Sequence, residues 1–268
     1  MSVVSKMNKH SNNQYIMEYI THYRLSTADL TTPNYLSKFM PIERALELLD
    51  TGKLWFANPE CWNDPFESRF LTAKYTAKNS LNTKAKRFPW KDKLFCCCFT
   101  ENSTSEASWK AYAKDDMVVN LTFKRAEFID VLCKSGYKVF FDKVEYKRTN
   151  DLRKRVTQIP FDPPLKDSNF GSDEMNARLM LLKRVSFEYE KEFRAMIVKP
   201  RAAKGEGIYL DLPTPLPSLI KDITFGPLVG DRIFSLLKDT LISKYGFNSS
   251  QIHQSELYKE GNSKVLTI

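Results

Sequence analysis

The sequence predicts one α+β domain that carries a basic insertion. Three observations lead to this prediction: short apolar runs typical of strands are interrupted irregularly by helical periodicities, no internal repeat is visible, and 268 residues are long for one domain yet short for two well-separated ones. With 42% hydrophobic and 27% charged residues, the composition excludes a disordered or collagen-like chain. We expect a polar tail over residues 1–14 and a single domain over residues 15–268.

Strands are predicted where short apolar runs are bounded by turn-forming residues. The predicted strands are residues 19–25, 54–57, 94–99, 118–123, 137–146, 192–198 and 220–225. The run 94–99 is apolar throughout, which is typical of a strand that is buried on both faces.

Helices are predicted from apolar residues at helical spacing and from residues that begin or end helices. The first covers residues 42–49, between Pro41 and Gly52. Residues 103–106, Ser-Thr-Ser-Glu, match a capping box that opens a short helix with Trp109 and Tyr112. Further helices are expected at residues 126–133, 173–185 and 233–241, the last with an apolar face of Ile233, Leu236, Leu237 and Leu241.

Basic residues exceed acidic ones by 41 to 32, a net charge of +9 that attracts polyanions. The excess is concentrated in residues 72–93, which lack a clean period and are expected to form a loop or broken helix; a polar excursion is expected at residues 147–172. Candidate nucleic-acid contacts in the first segment are Lys84, Lys86, Arg87, Trp90 and Lys91, the tryptophan by stacking on unpaired bases. A solvated loop whose lysines only keep the protein soluble explains the charge equally well.

Familiar catalytic and metal signatures are missing from the sequence. It has no GxxxxGK[ST], GxGxxG, GxSxG or HExxH string, which disfavours the corresponding enzyme classes. Five cysteines without a CxxC pair and three scattered histidines predict no metal site. Without an apolar run long enough for a membrane or a signal peptide, we expect a cytoplasmic protein with reduced thiols and no membrane partner.

Three polar groupings could carry chemistry. In residues 22–24, His-Tyr-Arg, the guanidinium of Arg24 suits a nucleotide pyrophosphate, and an ion pair at a strand end is the plainer alternative. Residues 62–67, Trp-Asn-Asp-Pro-Phe-Glu, read as a turn. If residues 187–194 form a strand, alternation places Glu188, Glu190 and Glu192 on one face, where they bind ligand hydroxyls or protect an exposed edge.

In order along the chain, these groupings resemble an uncharacterised bacterial family, domain of unknown function twenty-nine seventy-one. The strings that carry the resemblance are Asn-Asp-Pro-Phe-Glu at residues 63–67 and Tyr-Glu-Lys-Glu-Phe-Arg at residues 189–194. Further landmarks are Tyr23-Arg24, Leu54-Trp55-Phe56, Cys98-Phe99-Thr100, Trp109, Tyr112, Val144-Glu145-Tyr146 and residues 223–227. The resemblance covers residues 19–252 and implies no activity.

The overall plan also resembles ADP-ribosyltransferases, which implies a split sheet with flanking helices and NAD as substrate. By this resemblance Tyr23 and Arg24 bind the dinucleotide. Either Thr100, or Ser103 together with Ser105, also binds it. An aromatic side chain, Trp109 or Tyr112, stacks on nicotinamide. Glu192, or Glu190, then binds the ribose 2′-hydroxyl and stabilises the oxocarbenium-like transition state. The Ser-Thr-Ser string follows its strand here instead of lying within it.

The resulting hypothesis is an NAD-consuming ADP-ribosyltransferase that acts as a bacterial toxin or phage-defence effector. Its acceptor is nucleic acid, with RNA as the example, or protein. An acidic antitoxin is the partner expected for such a toxin. The alternatives are a non-catalytic nucleic-acid-binding module and a Mg²⁺-dependent nuclease that uses Asp64, Glu67 and Glu192.

Overall fold

The computed structural model describes residues 34–62, 64, 66–67, 74–75, 86–87, 93–112, 117–158, 172–199, 206–213 and 215–258. The strand predicted at residues 19–25, with Tyr23 and Arg24, lies outside the described residues. So do three of the candidate nucleic-acid contacts, Lys84, Trp90 and Lys91.

The strands of the described residues are numbered in chain order. They are β1 Tyr35–Pro41, β2 Lys53–Ala57, β3 Lys74–Tyr75, β4 Lys86–Arg87, β5 Leu94–Thr100, β6 Val118–Lys124, β7 Lys138–Lys143, β8 Glu145–Lys147, β9 Leu182–Arg184, β10 Glu192–Val198, β11 Gly207–Asp211, β12 Ile220–Phe225 and β13 Ile252–Gln254.

The α-helices are α1 Ile42–Thr51, α2 Glu106–Tyr112, α3 Arg125–Lys134, α4 Thr149–Gln158, α5 Asp173–Leu179, α6 Leu216–Leu219 and α7 Asp231–Tyr245. Short 3-10 helices cover Pro59–Cys61, Val185–Glu190 and Ser249–Gln251. Gly52 and Gly246 end α1 and α7 in the left-handed conformation, at φ 66° and 74°, as their positions in the sequence predict.

Nine of the described strands form one sheet that splits at β5. One edge of β5 pairs along its whole length with β10, which in turn pairs with β7. The other edge meets β2 only at Cys96 and β1 only at Thr100, so these two strands diverge from it. Beyond β1 the order continues through β6 and β12 to β13, and β11 lies outside β2.

Helices cover both faces of the sheet because alternate residues of the central strands point to opposite sides. Phe95, Cys97 and Phe99 of β5 join the main core with α1, α3 and α7, whereas Leu94 and Cys96 join a second core with α5. The predicted α+β class, a central sheet with flanking helices, is confirmed. None of the described helices is long and apolar enough to cross a membrane.

Several predicted elements differ from the structure. The strand expected at residues 137–146 is two strands interrupted at Val144, and the helix expected at residues 173–185 ends at Leu179, before β9. In the basic stretch, β3 and β4 pair with each other, and the polar excursion contains α4. Sequence analysis missed β1, β11 and β13.

The apolar face predicted for α7 is rotated in the structure. Leu241 is buried and Leu237 packs against the main core, whereas Ile233 and Leu236 are exposed, Leu236 by 68%. Phe234 takes the place of Ile233 because residues 234, 237 and 241 lie on one stripe at helical spacing.

Candidate functional site

Three strands of the sheet meet at Thr100, the last residue of β5. In the ladder, Thr100 lies opposite Ser37 of β1 on one side and opposite Glu192 of β10 on the other. Residues directly opposite each other on neighbouring strands point to the same face. The structure therefore brings two predicted site residues, Thr100 and Glu192, side by side and adds Ser37, which sequence reasoning missed.

Glu190 also lies beside Thr100, but the local structure that positions it is not the predicted strand. Residues 185–190 form a 3-10 helix, and Lys191 adopts the left-handed conformation at φ 42°, so β10 begins only at Glu192. The prediction that Glu188, Glu190 and Glu192 share one face of a strand is therefore wrong. The Thr100 hydroxyl donates to the backbone oxygen of Glu190 at 2.5 Å and fixes this turn against β5.

Glu192 is buried, 4% exposed, and is held by an arginine on its own strand. Arg194 donates from Nε to Oε1 and from Nη2 to Oε2 of Glu192, both at 2.8 Å. Burial raises the pKa of Glu192, but Arg194 and Lys183 outweigh it and hold that pKa below its ordinary value. Glu192 is thus a fixed negative charge.

Lys183, on β9, joins the carboxylates. Its Nζ lies 2.6 Å from Oε2 of Glu190, 3.1 Å from Oε2 of Glu192 and 3.3 Å from Oε1 of Glu67. Burial lowers the pKa of this ammonium, yet the surrounding carboxylates raise it above the ordinary value. We call these residues, together with Arg194, the ion cluster; it contains three carboxylates and two cations.

Glu190 is the carboxylate of the ion cluster that is open to solvent, with 23% of its side chain exposed. Burial raises the pKa of Glu190, and the attraction of Lys183 only partly offsets it. A carboxylate with a raised pKa beside a fixed charge is a common feature of functional sites.

Tyr146 supports the start of β10, because its hydroxyl accepts a hydrogen bond from the backbone N–H of Glu192 at 2.8 Å. Sequence reasoning missed the roles of Tyr146, Lys183 and Arg194. A signal was present for Arg194, because a guanidinium inside the apolar strand of residues 192–198 needs buried partners.

A cavity of about 630 Å³ lies on the same face of the sheet, across β1, β6, β12 and β13. Ser103 and Trp109, from the predicted cofactor set, line it, but Glu190 and Glu192 do not. Ser37 connects the two regions, since it lines the cavity and lies opposite Thr100. Strand spacing places Ser37 roughly 10 Å from Glu192, two strands away.

Ser105 has a structural role that the capping-box prediction assigned to Ser103. Helix α2 begins at Glu106, and the Ser105 hydroxyl accepts a hydrogen bond from the backbone N–H of Ser108 at 3.3 Å. Ser103 is therefore exposed at the cavity wall instead of capping the helix.

The carboxylates considered for a magnesium nuclease are paired with cations. Asp64 lies 3.1 Å from Arg184, and Arg194 lies within 3.0 Å of both Glu67 and Glu192. Cations therefore lie between the carboxylates that a metal would have to bridge. Within the described part of the chain, no group of three or more His, Cys, Asp or Glu residues could hold a metal ion.

Fold and site together define an α+β protein with an ion cluster and a polar cavity beside the point where its sheet splits. A family model described as "Protein of unknown function (DUF2971)" matches residues 108–195. This match confirms the family resemblance over those residues. It does not single out either of the two strings, which stay predictions as family markers. No curated protein matches the sequence.

Solved structures of DarT from Thermus sp. 2.9 are similar to this chain and each aligns with 84% of it. The complex with NAD+ is 12% identical, with 96% of that chain covered and a TM-score of 0.37. For the complex with ADP-ribosylated ssDNA these values are 11%, 95% and 0.38. For the complex with carba-NAD+ they are 11%, 97% and 0.35.

Proposed function

We propose that this protein is an NAD-consuming ADP-ribosyltransferase whose reaction centre is the end of β5 at Thr100, where the sheet splits. The observation that carries the proposal is the pair Glu190 and Glu192 beside Thr100, with one carboxylate buried and fixed and the other open. Cleavage of the bond between ribose C1′ and nicotinamide builds positive charge on the ribose. A preorganised carboxylate stabilises such charge without reorganising.

Glu190 is the carboxylate that contacts the substrate in this proposal. Its Oε2 is held by Lys183 at 2.6 Å, and part of the side chain faces solvent. In the ionised form it accepts a hydrogen bond from a ribose hydroxyl and stabilises the oxocarbenium-like transition state while nicotinamide leaves. The acceptor nucleophile then attacks C1′.

Glu192 acts through its neighbours. With both oxygens bound by Arg194, it holds Lys183 at 3.1 Å, and Lys183 in turn orients Glu190. This role makes Glu192 a positioning residue. The sequence alone left the choice between the two glutamates open, and the difference in exposure supports Glu190 as the contact.

NAD binding is assigned to residues around the end of β5 and the neighbouring cavity. Ser103 and Trp109 offer a hydroxyl and an apolar wall from the cavity. Tyr23, Arg24 and Tyr112 keep the dinucleotide-binding roles that the resemblance implies, with Arg24 on a phosphate. Ser105 contributes through the helix that it caps.

Nucleic acid is the proposed acceptor, with RNA as the first choice and protein as the alternative, because the chain carries a net charge of +9. The residues assigned to contact the nucleic acid are the basic Lys84, Lys86, Arg87 and Lys91 and the aromatic Trp90. In the cell we propose a toxin or phage-defence role, with an acidic antitoxin as partner.

The acceptor is tested by incubating the full chain with NAD labelled in its adenylate phosphate. Total RNA, single-stranded DNA and a protein extract are offered separately. Label on RNA supports the first choice, label on single-stranded DNA keeps nucleic acid as the acceptor but replaces RNA, and label on protein replaces nucleic acid. If nicotinamide is not released in any mixture, the transferase proposal fails, and salt-sensitive RNA binding without turnover would then support a non-catalytic binding module.

The roles of the glutamates are tested with Glu190→Gln and Glu192→Gln, with Glu188→Gln as the matched control. The Glu188 side chain is 53% exposed, and among the described residues its carboxylate forms an ion pair with Lys191 at 3.7 Å. We expect Glu190→Gln to fold normally and to lose nicotinamide release by at least about a hundredfold. Glu192→Gln should lose stability together with activity. An active Glu190→Gln protein would remove Glu190 from the reaction.

A further inference from the structure

The floor of the cavity on β1, β6 and β12 is built from short polar side chains. Ser37, Asn120, Thr122 and Thr224 line it from neighbouring strands, and Trp109 forms an apolar wall. Trp109 is held edge-on against Phe39, with ring centroids 4.7 Å apart. A polar floor beside a fixed aromatic wall is typical of a small-molecule site, and the volume is in the usual range.

Asn120 has an acceptor that no donor among the described residues satisfies. The residue is 1% exposed, and its Nδ2 donates to the Ser37 hydroxyl at 3.4 Å. That hydroxyl lies 3.5 Å from the Thr122 hydroxyl. The amide oxygen Oδ1 is buried and has no hydrogen-bond partner in the part of the chain that the structure describes. Native proteins leave few buried polar atoms without a hydrogen bond, so we take this oxygen as the acceptor for a donor on a ligand in the cavity.

Charged side chains around the cavity are already paired. Asp222 lies 3.3 Å from both Lys221 and His253, and Glu101 lies 3.0 Å from Lys143. The described wall therefore has no excess of cations to attract a phosphate. A neutral, planar group that donates N–H bonds suits this lining better than an anion.

We propose that the cavity binds an amino-bearing nucleobase, whose exocyclic N–H donates to Oδ1 of Asn120 while the base packs against Trp109. Two sources carry this chemistry: the adenine of NAD, and adenine, cytosine or guanine in a nucleic-acid strand. Where the source is NAD, the inference rests on the proposed function, which assigns Trp109 of the same cavity to the dinucleotide; where the source is a strand, it stands on binding alone and needs no turnover.

The experiment is calorimetric titration of the full chain with two matched pairs of nucleosides, adenosine against inosine and cytidine against uridine. Within each pair the exocyclic amino group is replaced by a carbonyl oxygen, and the adjacent ring nitrogen gains a proton, so only the amino-bearing member has a donor at the exocyclic position. That member should bind roughly ten- to a hundredfold more tightly, because its partner presents a carbonyl oxygen to the Asn120 acceptor. Binding of adenosine alone points to NAD as the source, and binding of cytidine as well points to a strand.

Substitutions at Asn120 provide the control. Asn120→Leu should abolish the preference within each pair, and Asn120→Asp, which keeps an acceptor at this position, should retain it; thermal melting checks that both variants fold. The proposal would be overturned by equal affinities within each pair or by a preference for inosine or uridine. Binding of nicotinamide but of no nucleoside would overturn it as well. All titrations are made without NAD, so failure of the transferase proposal leaves this result interpretable.

Discussion

Replacing Arg194 with methionine removes the guanidinium that holds the ion cluster together. The side chain is 1% exposed, donates twice to Glu192 at 2.8 Å and donates once to Glu67 at 3.0 Å. It also bonds the backbone oxygen of Met180 and lies 4.5 Å from the ring of Trp62. Methionine has a similar volume and is apolar, so most of the effect comes from the lost charge and the lost hydrogen bonds.

The expected loss of stability follows from the charges that remain buried after the substitution. Without Arg194, the carboxylates of Glu67, Glu190 and Glu192 share the single ammonium of Lys183. Removing one partner of a buried ion pair costs about 3–5 kcal/mol, because the remaining charge is left uncompensated. Since domains are stable by about 5–15 kcal/mol, a large share of the free energy of unfolding is lost.

Urea unfolding followed by circular dichroism measures this loss in the wild type, Arg194→Met, Glu192→Gln and the double variant. The double variant should lose less stability than the sum of the two single variants, because removing the Glu192 charge relieves the unpaired carboxylate. A loss below about 1 kcal/mol for Arg194→Met, or strict additivity, would refute the reasoning from a buried, coupled cluster.

Three further predictions test other parts of the structure. The pKa of Glu192 lies below its ordinary value of 4.5, so the contribution of this carboxylate to stability is complete above that pH and is lost as the pH falls through the lowered pKa. Acid unfolding should therefore depend less steeply on pH in Glu192→Gln than in the wild type. An unchanged pH profile would contradict this assignment. Gly207→Ala should lower the melting temperature, because a Cβ there would overlap the backbone oxygen of Phe56 and the indole of Trp55; an unchanged melting temperature would contradict that packing. A thiol reagent should modify exposed Cys61 in the native protein and buried Cys96 only after unfolding, and early labelling of Cys96 measured by peptide mass would show the strand to be open.

The sequence was sufficient for elements whose apolar residues are continuous or end at a clear stop signal. The apolar run of β5, the helix α1 between Pro41 and Gly52 and the strand β10 were all predicted. In contrast, β1 reads Tyr-Leu-Ser-Lys-Phe-Met-Pro, and its pairs of buried residues do not follow a simple alternation. Helix α4 was missed because only a narrow stripe, including Leu152 and Val156, is apolar.

The site residues that the sequence singled out stay predictions, and the geometry around them has little local signal. The structure places Glu190 and Glu192 beside Thr100. The left-handed turn at Lys191 between the two glutamates has no local signal, because a lysine rarely adopts that conformation. Lys183 comes from another strand, so only the folded chain shows that it bridges the glutamates. The same holds for the hydrogen bond between Asn120 and Ser37, which are 83 residues apart.

Nicotinamide release from NAD, measured as a function of pH in wild type and Glu190→Gln, tests the central claim most directly. Burial raises the pKa of Glu190, so wild-type release should increase with pH through a midpoint above the ordinary value of 4.5, as the carboxylate ionises. Release should be absent or about a hundredfold lower in folded Glu190→Gln and unchanged in Glu188→Gln. Equal release by wild type and Glu190→Gln, or no release by folded wild type, would contradict the account.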